Sequence, residues 1–253
     1  MPHLKWRVAE RRVTQILRPP AAFARRRLRY PERVLLTSRI ETLVLVRHDQ
    51  SIANIDPSVY KKQPDHTIPL VDPDSPRLKA AGAALAALGL PAAETVSWCS
   101  TYLRCRQTES AVLTHAFGEA HAQIRRRETF LVREQDFGEW DGLTDEEAKE
   151  RLTASWLKRQ TLTDNLGRFY FRYPNGESRA DVVMRTMTFF GKLHRSDYKH
   201  HLVFLHGVSQ RAFRMAWMNL PVDWFEEEAN PPNASVLVIQ RAGDGAWRDR
   251  YLT

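Results

Sequence analysis

Leu43-Val44-Leu45-Val46-Arg47-His48-Asp49-Gln50-Ser51 is a run of four apolar residues followed without a break by a cation, an imidazole and an acid. Four consecutive Val and Leu residues read as a strand buried on both faces, the habit of a central parallel strand. In open α/β sheets the carboxyl end of such a strand is where ligands bind, so Arg47 and His48 stand where chemistry is expected. On these residues alone, a strand that simply stops at two polar surface groups is an equal alternative.

Outward from this strand the pattern repeats. Thr95 to Cys99 and Leu202 to Leu205 are two further buried strands, and the third runs into His206-Gly207. Between them, Ser51 to Pro76 is a long polar connection, too long for a mere joint. Arg77 to Leu88 is an alanine-rich helix closed by Gly89, and a second helix spans about Leu103 to Phe117. Residues 129–142 are irregular and marked by glycine. Thr144 opens a helix with Asp145, Glu146 and Glu147 in its first turn, the end that favours acids. Ser178 opens another to about Arg195, and one more runs from His206 to about Asn219. Ser235 to Gln240 and Trp247 to Tyr251 read as a closing hairpin around Gly243-Asp244-Gly245. Strands alternating with helices predict one α/β domain over 40–253: a three-layer sandwich, its mostly parallel central sheet flanked by helices.

The charge is unevenly distributed. Residues 1–39 carry eleven Lys and Arg against Glu10 and Glu32, a net of +9; the whole chain is +8, so the remainder is −1. The high isoelectric point therefore belongs to a basic N-terminal arm, and specific nucleic-acid binding by the domain is not expected. Within the arm, Leu4, Val8, Val13, Ile16 and Leu17 fall on one helical face before Pro19-Pro20. That partly helical arm is open to three readings: a stripe packed on the domain, a contact for an anionic membrane surface or other polyanion, or an organelle-targeting segment. Cys99 and Cys105 form neither a disulfide framework nor a ligand set, which points to a reducing compartment. With no apolar run of 18 residues, the expected location is cytoplasmic, with membrane-peripheral attachment through the arm as its variant.

His48 and His206 end two separate strands, with Arg47 beside one and Arg104 just after the second strand. Two guanidiniums and two imidazoles at one sheet edge would bind a dianion, since planar forked donors match phosphate oxygens. These residues fall in segments that resemble the histidine phosphatase superfamily, the phosphoglycerate mutase-like phosphatases. Arg47-His48-Asp49-Gln50-Ser51 with Asn54 is similar to its opening signature, normally Arg-His-Gly. Ser100-Thr101-Tyr102-Leu103-Arg104 resembles its second segment, and Arg133-Glu134-Gln135-Asp136-Phe137-Gly138 the segment that supplies an acid. Pro174-Asn175-Gly176-Glu177-Ser178 and Leu205-His206-Gly207 complete the order. Pro64-Asp65-His66-Thr67-Ile68-Pro69-Leu70 and Arg168-Phe169-Tyr170-Phe171-Arg172-Tyr173 further resemble the broad-range acid phosphatase subgroup.

The resemblance implies a metal-independent phosphatase that hydrolyses a phosphorylated small molecule. His48 is the nucleophile, Glu134 the acid and base, and Arg47, Arg104 and His206 hold the phosphoryl oxygens. Ser51, Asn54, Gly207 and His66 are the expected further substrate contacts. No cofactor is implied, and no cluster of Asp, His or Cys has metal-ligand spacing. A mutase or a sugar bisphosphatase of the same fold is the alternative enzyme. Lys61, Lys62, His66, Arg168 and Arg172 hint at an anionic or multiply phosphorylated ligand, against the plainer reading of a solvated basic face. His115, His121, His194, His200 and His201 read as surface or capping residues. Asp49 departs from the family's glycine. Asp tolerates a positive φ, but a carboxylate ~5 Å from a dianion would cost well over ~1 kcal/mol at an effective dielectric near 20. Asp49 therefore raises a second reading, a phosphate-binding pseudoenzyme or regulatory scaffold.

Overall fold

The computed structural model describes residues 39–253; the basic arm, apart from Arg39, lies outside them. Six strands, β1 (Thr42–Arg47), β2 (Thr95–Cys99), β3 (Arg125–Glu128), β4 (His200–Leu205), β5 (Val236–Arg241) and β6 (Trp247–Tyr251), form one sheet in the order β3-β2-β4-β1-β5-β6. The first four run parallel; β5 and β6 are antiparallel, the expected hairpin. The helices are α1 (Ile52–Ile55), α2 (Pro76–Ala86), α3 (Leu103–Phe117), α4 (Asp145–Arg151), α5 (Thr153–Leu166), α6 (Arg179–His194), α7 (Gly207–Met218) and α8 (Val222–Glu227).

Strand alternation divides the core. Val44 and Val46 of β1, with Leu202 and Phe204 of β4, pack on one face against Leu78 and Leu85 of α2 and Val112 and Leu113 of α3. Leu43 and Leu45, with Val203 and Leu205, pack on the other against Phe189 and Leu193 of α6 and Phe213 of α7. All are fully or almost fully buried, each contributing about 1.5–3 kcal/mol relative to exposure. The three-layer sandwich is thus present as expected.

Topology then opens the site. The chain leaving β1 travels toward β2 by way of α2, while the chain leaving β4 crosses toward β5 by way of α7 on the opposite face. Adjacent strands whose connections part in opposite directions leave a crevice at their carboxyl ends. The register pairs Arg47 with Leu205, so His48 and His206 are the next residue on each side.

Four features differ from the sequence reading. Edge strand β3 is Arg-Arg-Arg-Glu and exposed throughout, so it has no apolar alternation to betray it. Helices α5 and α8 also escaped it. Finally, His200 and His201 are strand residues, not surface or capping groups. His201 is fully buried, its Nδ1 accepting from Trp98 Nε1 at 3.1 Å and its Nε2 lying 3.0 Å from the Tyr198 carbonyl. Burial lowers its pKa to about 4.

Candidate active site

His48 is fixed before any ligand interaction is considered. Its backbone N–H continues the β1–β4 ladder to the Leu205 carbonyl at 2.9 Å. Its ring Nδ1 lies 2.6 Å from the Asp49 carbonyl, an acceptor only, so Nδ1 carries the hydrogen and Nε2 the lone pair. Burial, then Arg104 and Arg47 nearby, holds the imidazole well below its ordinary pKa and therefore neutral.

His206 faces it with ring centroids 5.0 Å apart at 65°. It caps the start of α7 and is fully buried, its Nε2 2.8 Å from Ser100 Oγ. Burial first, then Arg104 and His48, also keeps this ring neutral. A neutral ring here can hold a phosphoryl oxygen as a hydrogen-bond donor rather than as a cation.

The arginines converge from two elements. Arg104 lies in the first turn of α3, 2% exposed. Arg47 donates through Nη1 to the Pro231 carbonyl, and its buried Nε has no partner among the described residues. Glu134 comes from the irregular stretch after β3. Its Oε1 accepts from the backbone N–H groups of Gln135 and Ser209 at 3.0 and 3.2 Å, and its Oε2 from that of Val208 at 3.2 Å. The acid thus lies on the N-terminus of α7, a place suited to anions. Its loop is held by Glu177, which receives Arg133 Nη2 at 2.8 Å, Arg185 Nε at 2.9 Å and the Asp136 N–H at 3.1 Å. Arg185 Nη2 also donates to the Glu134 carbonyl at 3.0 Å. Glu177 and Arg185 position the acid through its loop; the sequence reading had Glu177 only as part of a matched segment.

The expected auxiliary contacts divide. Gly207 opens α7, where an added Cβ would lie 3.0 Å from Asn230 Cγ, so close approach explains the glycine. Ser51 caps α1 and gives its hydroxyl to Asn54 Oδ1 at 3.1 Å, a scaffold contact rather than a donor for substrate. Asn54 Oδ1 also takes Asn233 Nδ2 at 3.4 Å, and Asn233 reaches the His48 carbonyl at 3.2 Å. His66 is exposed, its ring 6.5 Å from that of Tyr102; the residue before it, Asp65, is the one that reaches Arg104. The basic rim is partly engaged: Lys61 pairs with Glu147 at 2.8 Å and Arg172 with Asp181. Tyr102, edge-on to His206 at 4.9 Å, and Asp65 were not anticipated, because a loop decides their placement.

Asp49 overturns its own alarm. It is not among the described residues with positive φ, which besides glycines are Asn175, Asn219 and Ala234. Its carboxylate, 1% exposed, is directed to the start of α2. There it accepts from the Ser75 hydroxyl and from Arg77 Nε at 2.7 Å. Its N–H donates to Thr108 Oγ1 at 3.1 Å, and Thr108 donates to the Arg104 carbonyl at 2.8 Å. The acid is therefore neutralised locally and ties the nucleophile's turn to the helix bearing Arg104.

Among the described residues, no group of three or more His, Cys, Asp or Glu could hold a metal ion. No helix there is long and apolar enough to cross a membrane.

Known proteins are similar to this chain in sequence and in fold. Phosphoglycerate mutase-like protein AT74 of Arabidopsis thaliana is 33% identical over 233 residues, covering 86% of this chain and 69% of that protein. Broad-range acid phosphatase DET1 of Saccharomyces cerevisiae is 31% identical over 131 residues, 49% of this chain and 36% of DET1. A mycobacterial glucosyl-3-phosphoglycerate phosphatase solved with VO3 superposes with a TM-score of 0.60 at 21% identity. That match covers 83% of this chain and 97% of the solved one, a likeness of fold. Residues 43–251, the stretch that brings His48, Arg104, Glu134 and His206 together, match the family model, and the chain belongs to the histidine phosphatase superfamily, branch 1.

Proposed function

We propose that this protein hydrolyses phosphomonoesters through a phosphohistidine on His48. The observation that carries the reading is the fixed tautomer: Nδ1–H held by the Asp49 carbonyl leaves the Nε2 lone pair of a neutral, buried ring as nucleophile. In the first step Nε2 forms a bond to phosphorus as the ester P–O bond breaks, and Glu134 gives its proton to the departing oxygen. In the second, Glu134 takes a proton from water, the water oxygen bonds to phosphorus, and the P–Nε2 bond breaks to release phosphate and regenerate His48. Arg47 and Arg104 neutralise the charge spread over the non-bridging oxygens, and neutral His206 donates to one of them. The acid–base contribution is typically ~10²–10⁴-fold. No step requires a metal.

The test is hydrolysis of p-nitrophenyl phosphate in EDTA, with alkali-quenched protein examined for a phosphoryl group that is stable in alkali and lost in acid. Wild type should turn over and label, and His48→Ala should do neither; turnover that survives His48→Ala would overturn the mechanism. A mutase of the same fold is the second reading, favoured by the names of the Arabidopsis relatives. It predicts a phosphoryl group moved to a second hydroxyl, with no phosphate released.

A further inference from the structure

The fork of Arg104 already has a matched partner. Nη1 and Nη2 lie 2.6 and 3.3 Å from Oδ1 and Oδ2 of Asp65, and Nη1 also donates to the Asp65 carbonyl at 2.9 Å. The arginine side chain is 2% exposed and that of Asp65 21%, so the carboxylate is the part of the pair that an incoming ligand meets. Asp65 opens a single 3-10 turn, Asp65–Thr67, within the long connection after β1. A carboxylate and a phosphoryl group present the same two-oxygen edge to a guanidinium, so they compete for it.

The surroundings of this pair add acid. Burial, then Asp65 and Asp136, lift the Asp141 carboxyl to about 7. Burial and Asp65 push the Tyr60 hydroxyl up to about 12. Nearby cations have carboxylate partners of their own: Lys61 on Glu147 and Arg133 on Glu177. Asp65 thus sets negative charge directly on Arg104, contrary to the anionic ligand that the basic residues of this region suggested.

We infer that Asp65 is a specificity-determining residue for the phosphatase reaction proposed above, on which this inference rests: it yields the Arg104 fork to one phosphoryl group and repels a leaving group bearing a second anion. The substrate class is a phosphomonoester of a neutral or cationic alcohol.

Glycerol 3-phosphate and 3-phosphoglycerate form a matched pair, similar in size and differing by one carboxylate. Full-length wild type should prefer the former in kcat/KM by about tenfold or more. Asp65→Asn should shrink that preference about tenfold, through KM rather than kcat, and bind inorganic phosphate about tenfold tighter by calorimetry. Asp65→Glu should keep the preference. Unchanged or weaker phosphate binding by Asp65→Asn, or a preference that does not move, overturns the inference. If Asp65→Asn does not fold, Asp65→Ser takes its place with the same two readouts, and the inference falls if neither moves. If wild type hydrolyses neither ester, calorimetry with the two esters still measures the charge preference, while the phosphatase reading stands or falls on p-nitrophenyl phosphate. A wild type that prefers 3-phosphoglycerate defeats the inference alone.

Discussion

Replacing Asp49 by glycine restores the residue usual in the family, and the structure predicts that this makes the protein worse. Unpaired, a carboxylate 5 Å from a phosphoryl group would oppose each of its charges by about 3 kcal/mol at an effective dielectric near 20. Arg77 Nε at 2.7 Å supplies an almost coincident opposite charge, so little of that field reaches the pocket. What glycine removes is support. The charge-assisted bond to Arg77, discounted because that side chain is half exposed, is worth about 1 kcal/mol. The buried Ser75 hydroxyl loses its acceptor at a similar cost of about 1 kcal/mol. A loss of about 2 kcal/mol lowers the Tm of a domain this size by roughly 4–8 °C. Thermal unfolding of wild type, Asp49→Gly, Arg77→Ala and the double variant forms a cycle, and most of the Arg77 contribution should vanish once Asp49 is gone. Turnover of p-nitrophenyl phosphate should stay level or fall in Asp49→Gly. A tenfold gain in kcat/KM with unchanged Tm would refute the reasoning and return the carboxylate to the pocket as a silencing charge.

Three other outcomes follow from the site and its supports. His48 must be neutral to attack and its pKa is held well below the ordinary value, so the acid limb of the kcat/KM–pH profile should lie below pH 6.5; a limb at 6.5 or above contradicts this. His201 titrates near 4 in the folded chain against about 6.5 unfolded, so the unfolded chain binds the proton more readily between those values. Stability should therefore fall as pH drops from about 6.5 toward 4, by up to about 3 kcal/mol, and denaturant melts of His201→Gln should show a flatter dependence. Glu177→Gln loosens two arginines and the loop of Glu134, so it should cost about 3 kcal/mol in urea melts and lower kcat about tenfold, with KM changed less than threefold.

The parts of the site legible in sequence are those attached to regular structure. His48 and His206 follow runs of buried apolar residues, and Arg104 opens a helix behind a third such run, so strand and helix boundaries located them. Asp65 carries no comparable mark: its acid sits in a polar connection, and only the path of that loop sets it on Arg104. The same holds for Asn233, which supports the nucleophile from a loop shaped by the positive φ of Ala234, a conformation nothing in an alanine announces. Strand β3 was hidden by its three arginines, and His201 by being polar at a position where its two ring nitrogens both find partners indoors. Asp49 was correctly singled out as unusual, but its compensation lies 26 and 28 residues downstream, at Ser75 and Arg77, beyond the reach of local spacing.

The 5.0 Å between the imidazoles is close to the ~4.8 Å that separates any two hydrogen-bonded strands. Because each histidine is the first residue past paired positions of β1 and β4, their spacing is inherited from peptide geometry and needs no dedicated side-chain adjustment. Drift in the surrounding loops, even by insertion, would leave the two rings in place. A descendant of this gene could therefore exchange one alcohol for another as its preferred leaving group without reinventing how phosphorus is attacked.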